Sequence, residues 1–171
     1  MKAIYPGSFD PFTNGHYDIL RRAIKTYDEV TILLAVNPDK VGKLRLSVDE
    51  RLDIITDIVR KLEIGFNKSV YIASTKGLVA DYVNESKADV IVRGIRNYTD
   101  LAYELNIERF NQELCDAETV YFSTKRDYMD ISSTAVWELA KWGKFDTIWK
   151  MVPTETFNML KRHFKDKEGL M

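Results

Sequence analysis

Tyr5-Pro6-Gly7-Ser8-Phe9-Asp10-Pro11-Phe12-Thr13-Asn14-Gly15-His16 is the stretch of this chain whose residue types and spacing are best suited to chemistry. Gly7 and Gly15 permit close backbone approach, and His16 falls in the first turn of a helix that Thr13 or Asn14 is suited to cap. Free N–H groups at a helix start carry roughly half a positive charge, so the turn suits an anion, a phosphate above all. His16 adds a further donor. Taken singly, each feature has an ordinary structural explanation, since a histidine at a helix start serves as a cap and a glycine-rich turn needs no ligand. The combined string Pro-Gly-Ser-Phe-Asp-Pro-x-Thr-x-Gly-His fixes many more residue types than a turn requires.

Other clusters recur along the chain. Asn37-Pro38-Asp39-Lys40, followed by Lys43 and Arg45, places cations in a loop that they would also simply solubilise. Arg93-Gly94-Ile95-Arg96 ends an apolar run with paired guanidinium groups, which serve either as an oxyanion clamp or as ion-pair partners of Asp100 or Glu104. Ile131-Ser132-Ser133-Thr134 opens a late helix, and a cap and a phosphate site need the same exposed N–H groups there. Tyr98, Tyr103, Tyr128 and Trp137 are aromatic enough to stack on a base, although core or subunit packing suits their spacing better.

These residues need a scaffold. Short β-branched runs at Ala3–Tyr5, Val30–Val36, Val70–Ile72, Val90–Val92 and Thr119–Phe122 read as strands, and their near-continuous apolar character predicts burial on both faces. Between them lie helical periods. One helix begins near His16, and a second follows the capping box Ser47-Val48-Asp49-Glu50, with Leu52, Ile55, Ile58, Val59 and Leu62 on its apolar stripe. Further helices are expected over Leu78–Asn84, Thr99–Leu114, Ser133–Lys141 and Glu155–Phe164, with a frayed tail over 165–171. The alternation predicts an α/β fold: a Rossmann-like open parallel five-stranded sheet, order 3-2-1-4-5, with helices on both faces and C-terminal helices. Ligands of such sheets lie beyond the strands' carboxyl ends where the winding reverses, which points to residues 6–16 and 93–96.

Composition narrows the alternatives. A chain of 171 residues fits one domain spanning 1–171, and 45% hydrophobic residues exclude global disorder. A formal net charge of −1 gives no overall pull toward nucleic acid or an anionic membrane. The one cysteine, Cys115, excludes an intrachain disulfide and suits a reducing compartment, so a cytoplasmic location is expected, with no signal peptide and no membrane span. A dinucleotide-dependent dehydrogenase is disfavoured because no Gly-x-Gly-x-x-Gly follows the first strand.

On these motifs the chain resembles the nucleotidylyltransferase superfamily with its (His/Thr)-x-Gly-His signature, and within it the phosphopantetheine adenylyltransferase family of bacterial coenzyme A biosynthesis. The resemblance runs nearly end to end, through the first motif, Asn37–Lys40, Arg93–Arg96 with Tyr103-Glu104, and Ile131–Thr134. It implies transfer of the adenylyl group of ATP to 4′-phosphopantetheine, giving dephospho-coenzyme A and pyrophosphate without a covalent enzyme intermediate. It also implies Mg2+ arriving with the triphosphate, a metal ligand on the protein left unassigned, feedback by coenzyme A and a homohexamer.

By the same resemblance His16 stabilises the transition state, and Lys40 and Arg93 hold the attacking phosphate. Ser8, Lys40, Val79 and Arg93 contact phosphopantetheine. Ser8, Phe9, His16, Gly94, Ile95, Arg96, Glu104, Tyr128, Met129, Asp130, Ile131, Ser132, Ser133 and Thr134 line the ATP site. Two positions depart from the pattern. Ser8 stands where many members have Thr, which keeps the hydroxyl, and Trp137 stands where the superfamily often has Arg or Lys. Other basic groups, such as Lys125 or Arg126, are candidates to substitute for that charge, in a geometry that spacing does not give. Rival functions are a sister transferase with another phosphate-bearing acceptor, such as nicotinamide mononucleotide or glycerol phosphate, and a noncatalytic ATP-sensing module.

Overall fold

A computed structural model describes residues 1–35 and 44–168. The strands are β1 (Lys2–Gly7), β2 (Glu29–Ala35), β3 (Ser69–Thr75), β4 (Val90–Ile95) and β5 (Glu118–Ser123). They form one parallel sheet of order β3-β2-β1-β4-β5, as expected. The helices are α1 (Asn14–Thr26), α2 (Val48–Arg60), α3 (Val79–Ser86), α4 (Tyr98–Gln112), α5 (Ser133–Lys141), α6 (Phe145–Ile148) and α7 (Thr154–Glu168). The Asn37–Lys40 motif, with Lys40 itself, and Lys43 lie outside the described residues.

Strand alternation sorts the core into two layers. Ala3, Tyr5, Val30, Ile32, Leu34, Val90 and Val92 face α1, α2, α5, α6 and α7, where Ile19, Ile55, Val136, Ile148 and Leu160 meet them. Ile4, Leu33 and Ile91 point to the opposite face, toward Ala80 and Val83 of α3 and toward Ala117. Burial on both faces holds for β1 and β2 but not throughout the sheet: β3 and β5 are its edges, and Tyr71 on β3 is 52% exposed. Apolar composition marks a strand without telling whether a neighbour covers its second face.

Helix boundaries follow local chemistry. Ser47 and Glu50 form the reciprocal capping box that starts α2. The α1 helix begins at Asn14, two residues before His16, because Thr13 is the cap. The last helix runs to Glu168, beyond the expected Phe164. The 3-10 turn at Arg126–Tyr128 and the four-residue α6 lacked a period long enough to read in the sequence.

Candidate active site

The carboxyl ends of β1 and β4 meet at the winding reversal, and the loop after β1 is tied down from every side. Its carbonyls are held by side chains of three different helices. Arg51 of α2 donates from Nη1 to the Ser8 carbonyl at 2.8 Å. Trp137 and Ser133 of α5 donate to the carbonyls of Asp10 and Pro11 at 3.0 and 2.8 Å, and Thr156 of α7 donates to that of Phe12 at 2.9 Å. The Asp10 carboxylate in turn accepts the backbone N–H groups of Arg45 and Leu46. A loop fixed in this way enters binding with little conformational entropy left to lose.

Backbone conformation explains the sequence string further. Phe9 sits at φ 47°, a left-handed conformation costly for an aromatic residue, and its ring folds back over Gly7. A Cβ at Gly7 would meet that ring at 2.8 Å. The Phe9 ring is buried and stands edge-on to His16 with centroids 5.2 Å apart, so it supports the imidazole from the core side. Phe9 therefore reaches a ligand only through its backbone.

His16 occupies the third position of α1, where a capping box ordinarily places Glu or Gln. The Thr13 N–H donates to His16 Nδ1 at 3.0 Å, so Nδ1 carries a lone pair and the neutral ring's proton sits on Nε2. His16 is thus part of the helix cap, and the capping contact sets the tautomer that makes the other ring nitrogen a donor.

The two arginines after β4 are each met by a carboxylate. Arg93 donates from Nε and Nη2 to the two oxygens of Glu104 at 2.5 and 2.7 Å, and from Nη1 to the Pro6 carbonyl at 3.2 Å. Arg96 makes a similar two-point pair with Asp100 at 2.7 and 3.0 Å and reaches the Ile131 carbonyl at 3.3 Å. Burial raises the Asp100 carboxyl pKa, but the Arg96 hydrogen bonds and charge outweigh it and hold it below the ordinary value. Gly94 lets β4 approach α1, since a Cβ there would lie 3.1 Å from Ile19.

The late segment completes the edge. Ser132 caps α5 by accepting the Ala135 N–H at 3.0 Å, leaving Ser133 and Thr134 as the first helical residues. Tyr128 lies against Gly15, its Cβ 4.0 Å from where a Gly15 Cβ would stand. Ser8, His16, Arg93, Gly94, Ile95, Arg96, Glu104, Tyr128, Ile131 and Ser133 thus belong to segments joined by contacts around one edge. Met129 and Asp130 are exposed beside them, and Val79 opens α3 with its side chain in the smaller core layer.

Trp137 is 3% exposed and packs on His163 and Phe164, so it is a core residue. Lys125, a candidate for the missing charge, is drawn to the buried Asp18 at 2.8 Å, which also accepts from Arg22. Arg51 and Thr156 do not stand out in the sequence, and Asp10 stands out only as part of the first motif, without its role as acceptor for the Arg45 and Leu46 N–H groups. The available signal for Arg51 was its spacing, since it shares the apolar stripe of Ile54, Ile55 and Ile58 and is 2% exposed.

Together the fold and this edge define a nucleotidyltransferase of the Rossmann-like type. A cytidylyltransferase-like family model matches residues 4–139. Phosphopantetheine adenylyltransferase of Deinococcus radiodurans is 37% identical over 166 residues, 97% of this chain and 95% of that protein. Its counterpart in Clostridium novyi is 39% identical over 142 residues, 82% of this chain and 84% of that protein. The chain belongs to the phosphopantetheine adenylyltransferase family. Among solved structures, a Plasmodium falciparum nicotinic acid mononucleotide adenylyltransferase shares the fold with a TM-score of 0.69 at 14% identity, covering 95% of this chain and 94% of that one.

Proposed function

We propose that this chain transfers the adenylyl group of ATP to 4′-phosphopantetheine, giving dephospho-coenzyme A and pyrophosphate. The observation that carries this reading is the His16 capping turn, bound to the N-terminus of α5 through Ser133 and to β4 through Arg93. Two helix N-termini and the paired arginines thereby face one edge of the sheet. The family supplies the acceptor.

A phosphate monoester has its second pKa near ~6, so the attacking oxygen is largely ionised at neutral pH and needs no strong base. The protein's task is alignment and charge stabilisation, which are worth on the order of 7–11 kcal/mol for well-oriented reactants. Arg93 and Lys40 bind the attacking phosphate, with Ser8 and Val79 along the rest of the acceptor. His16 Nε2–H donates to the charge developing on the α-phosphate, while Arg96 and the N-terminus of α5 receive the departing pyrophosphate. Gly94, Ile95, Glu104, Tyr128 to Ile131 and the Phe9 backbone line the nucleotide.

Mg2+ enters with ATP as part of the substrate. The carboxylates nearest the edge, Asp10, Asp18, Asp100 and Glu104, are already engaged by N–H groups or cations, which suits a metal held chiefly by phosphate oxygens and water. Incubation with Mg–ATP and each of 4′-phosphopantetheine, nicotinamide mononucleotide and glycerol phosphate should release pyrophosphate only with the first. Turnover should stop with EDTA and return with excess Mg2+. Release with a different acceptor alone would overturn the acceptor assignment.

We assign a cytoplasmic homohexamer, subject to coenzyme A feedback. Cys115 is a free thiol, and no helix among the described residues is long and apolar enough to cross a membrane. The surface that favours assembly is α4, which buries no residue of its own, although Tyr98 is 83%, Tyr103 48% and Phe110 73% exposed. Tyr103 and Phe110, seven residues apart, share one helical face. Trp137 is spent in the monomer's core. Phe110→Glu is expected to yield a smaller species in light scattering, and an unchanged mass would remove α4 from the interface.

A further inference from the structure

We propose that Arg45 is a phosphate-binding residue for ATP, presented to the outer phosphates by the indole of Trp137. This rests on the reading that the triphosphate lies at the N-terminus of α5. Trp137 and Ser133 are four residues apart on one face of that helix, about 6 Å along its axis. Both reach the same short segment, Trp137 through the Asp10 carbonyl and Ser133 through that of Pro11. Arg45 is fixed to the segment from the other side, its backbone N–H donating to Asp10 Oδ2 at 2.9 Å. Its guanidinium lies over the Trp137 ring, 5.1 Å from the centroid. The guanidinium therefore lies beside Trp137 and Glu138, and its backbone is tied to the same loop segment that Ser133 holds at the start of α5.

Charge accounting singles out Arg45 from its neighbours. Arg93 and Arg96 meet an anion only by sharing or displacing a two-point carboxylate partner, Lys125 is held by buried Asp18, and Arg51 is buried with its donors on carbonyls. The carboxylate contact of Arg45 is looser: Nη2 lies 3.5 Å from Glu138, a half-exposed residue that Lys141 also engages at 2.8 Å. A half-exposed, solvent-screened pair of this kind contributes little, so exchange of Glu138 for a phosphate oxygen costs little. The planar guanidinium stays stacked on the indole while its edge offers paired donors, an arrangement that lysine cannot reproduce. An uncharged residue at position 137 is thereby reconciled with a polyanionic ligand. The charge is carried by the loop rather than by the helix.

Calorimetric titration of the full chain with Mg–ATP and with AMP tests this. AMP lacks the outer phosphates. Arg45→Met should weaken ATP binding by about tenfold, the effect of one charge-assisted hydrogen-bonded contact, and leave AMP binding unchanged. Arg45→Lys, which keeps the charge and loses the stacked fork, should fall between. Unchanged ATP affinity in Arg45→Met, or equal losses for ATP and AMP, would overturn the role of Arg45. Equal affinity of the unaltered protein for ATP and AMP would instead overturn the placement of the triphosphate at α5.

Discussion

Replacing His16 with alanine is expected to lower kcat by about 10²–10³-fold while leaving ATP affinity within about threefold of the parent, because the loss falls on charge that exists only in the transition state. Alanine also removes the acceptor of the Thr13 N–H, so about 1 kcal/mol of helix-cap stability goes with it. His16→Gln separates the two effects. A glutamine at the third helical position completes the same capping box, but cannot place a donor where Nε2–H stands. Both variants should be slow, and only the alanine variant should melt earlier. Steady-state kinetics, ATP titration and thermal unfolding of the three proteins check this. Equal losses in binding and turnover, or a His16→Gln enzyme of parental rate, would contradict the role given to His16.

The same pair of residues shows where sequence reading succeeds and where it stops. Strand runs, helix periods and the Ser47–Glu50 box are local signals, and they translated into the five strands and the long helices with boundaries shifted by a few residues. The α5 helix was delimited at Ser133–Lys141 because Ser132 caps it through a local bond. The cap choice at α1 was open between Thr13 and Asn14. It closed on Thr13 because the imidazole reaches back to that residue's N–H, a contact that spacing permits but does not require.

What stayed hidden is tertiary. Arg51, Trp137, Ser133 and Thr156 hold consecutive stretches of one loop, yet they sit 43, 127, 122 and 144 positions away from their partners. Nothing in the string Ser8 to Phe12 names those partners. For Arg93 and Arg96 the sequence offered clamp or ion pair, and the fold puts Glu104 and Asp100 on them. Such pairing is compatible with the phosphate-binding roles proposed for the arginines. It holds each planar fork in one orientation, at the cost of a carboxylate that an incoming anion must share or displace.

Arg51→Met should be the most destabilising single substitution in the site wall, about 3 kcal/mol, because it empties a buried junction and not a surface contact. The guanidinium bonds the Ser8 and Ser47 carbonyls and faces Asp10, all under a side chain that is 2% exposed. Burial lowers its pKa, and the Asp10 and Glu50 charges oppose that shift, so the group stays charged. Methionine fills similar volume but leaves the Ser8 carbonyl without its donor and removes a positive neighbour from the buried Asp10 carboxylate. For a chain of this size the melting temperature should fall by about 6–12 °C. Because Ser8 is freed, KM for ATP should rise in enzyme that remains folded at low temperature. Arg51→Lys cannot span both carbonyls and should recover only part of the stability. A fall below about 2 °C in Arg51→Met would mean that the loop is held by Trp137, Ser133 and Thr156 without help from α2. Adding Asp10→Asn to Arg51→Met then measures their coupling. Asp10→Asn alone loses the acceptor of one of the Arg45 and Leu46 N–H groups, so the double variant is compared with it: a smaller loss from Arg51→Met in the Asp10→Asn background would locate the cost in the stranded carboxylate, and an equal loss would locate it in the Ser8 carbonyl.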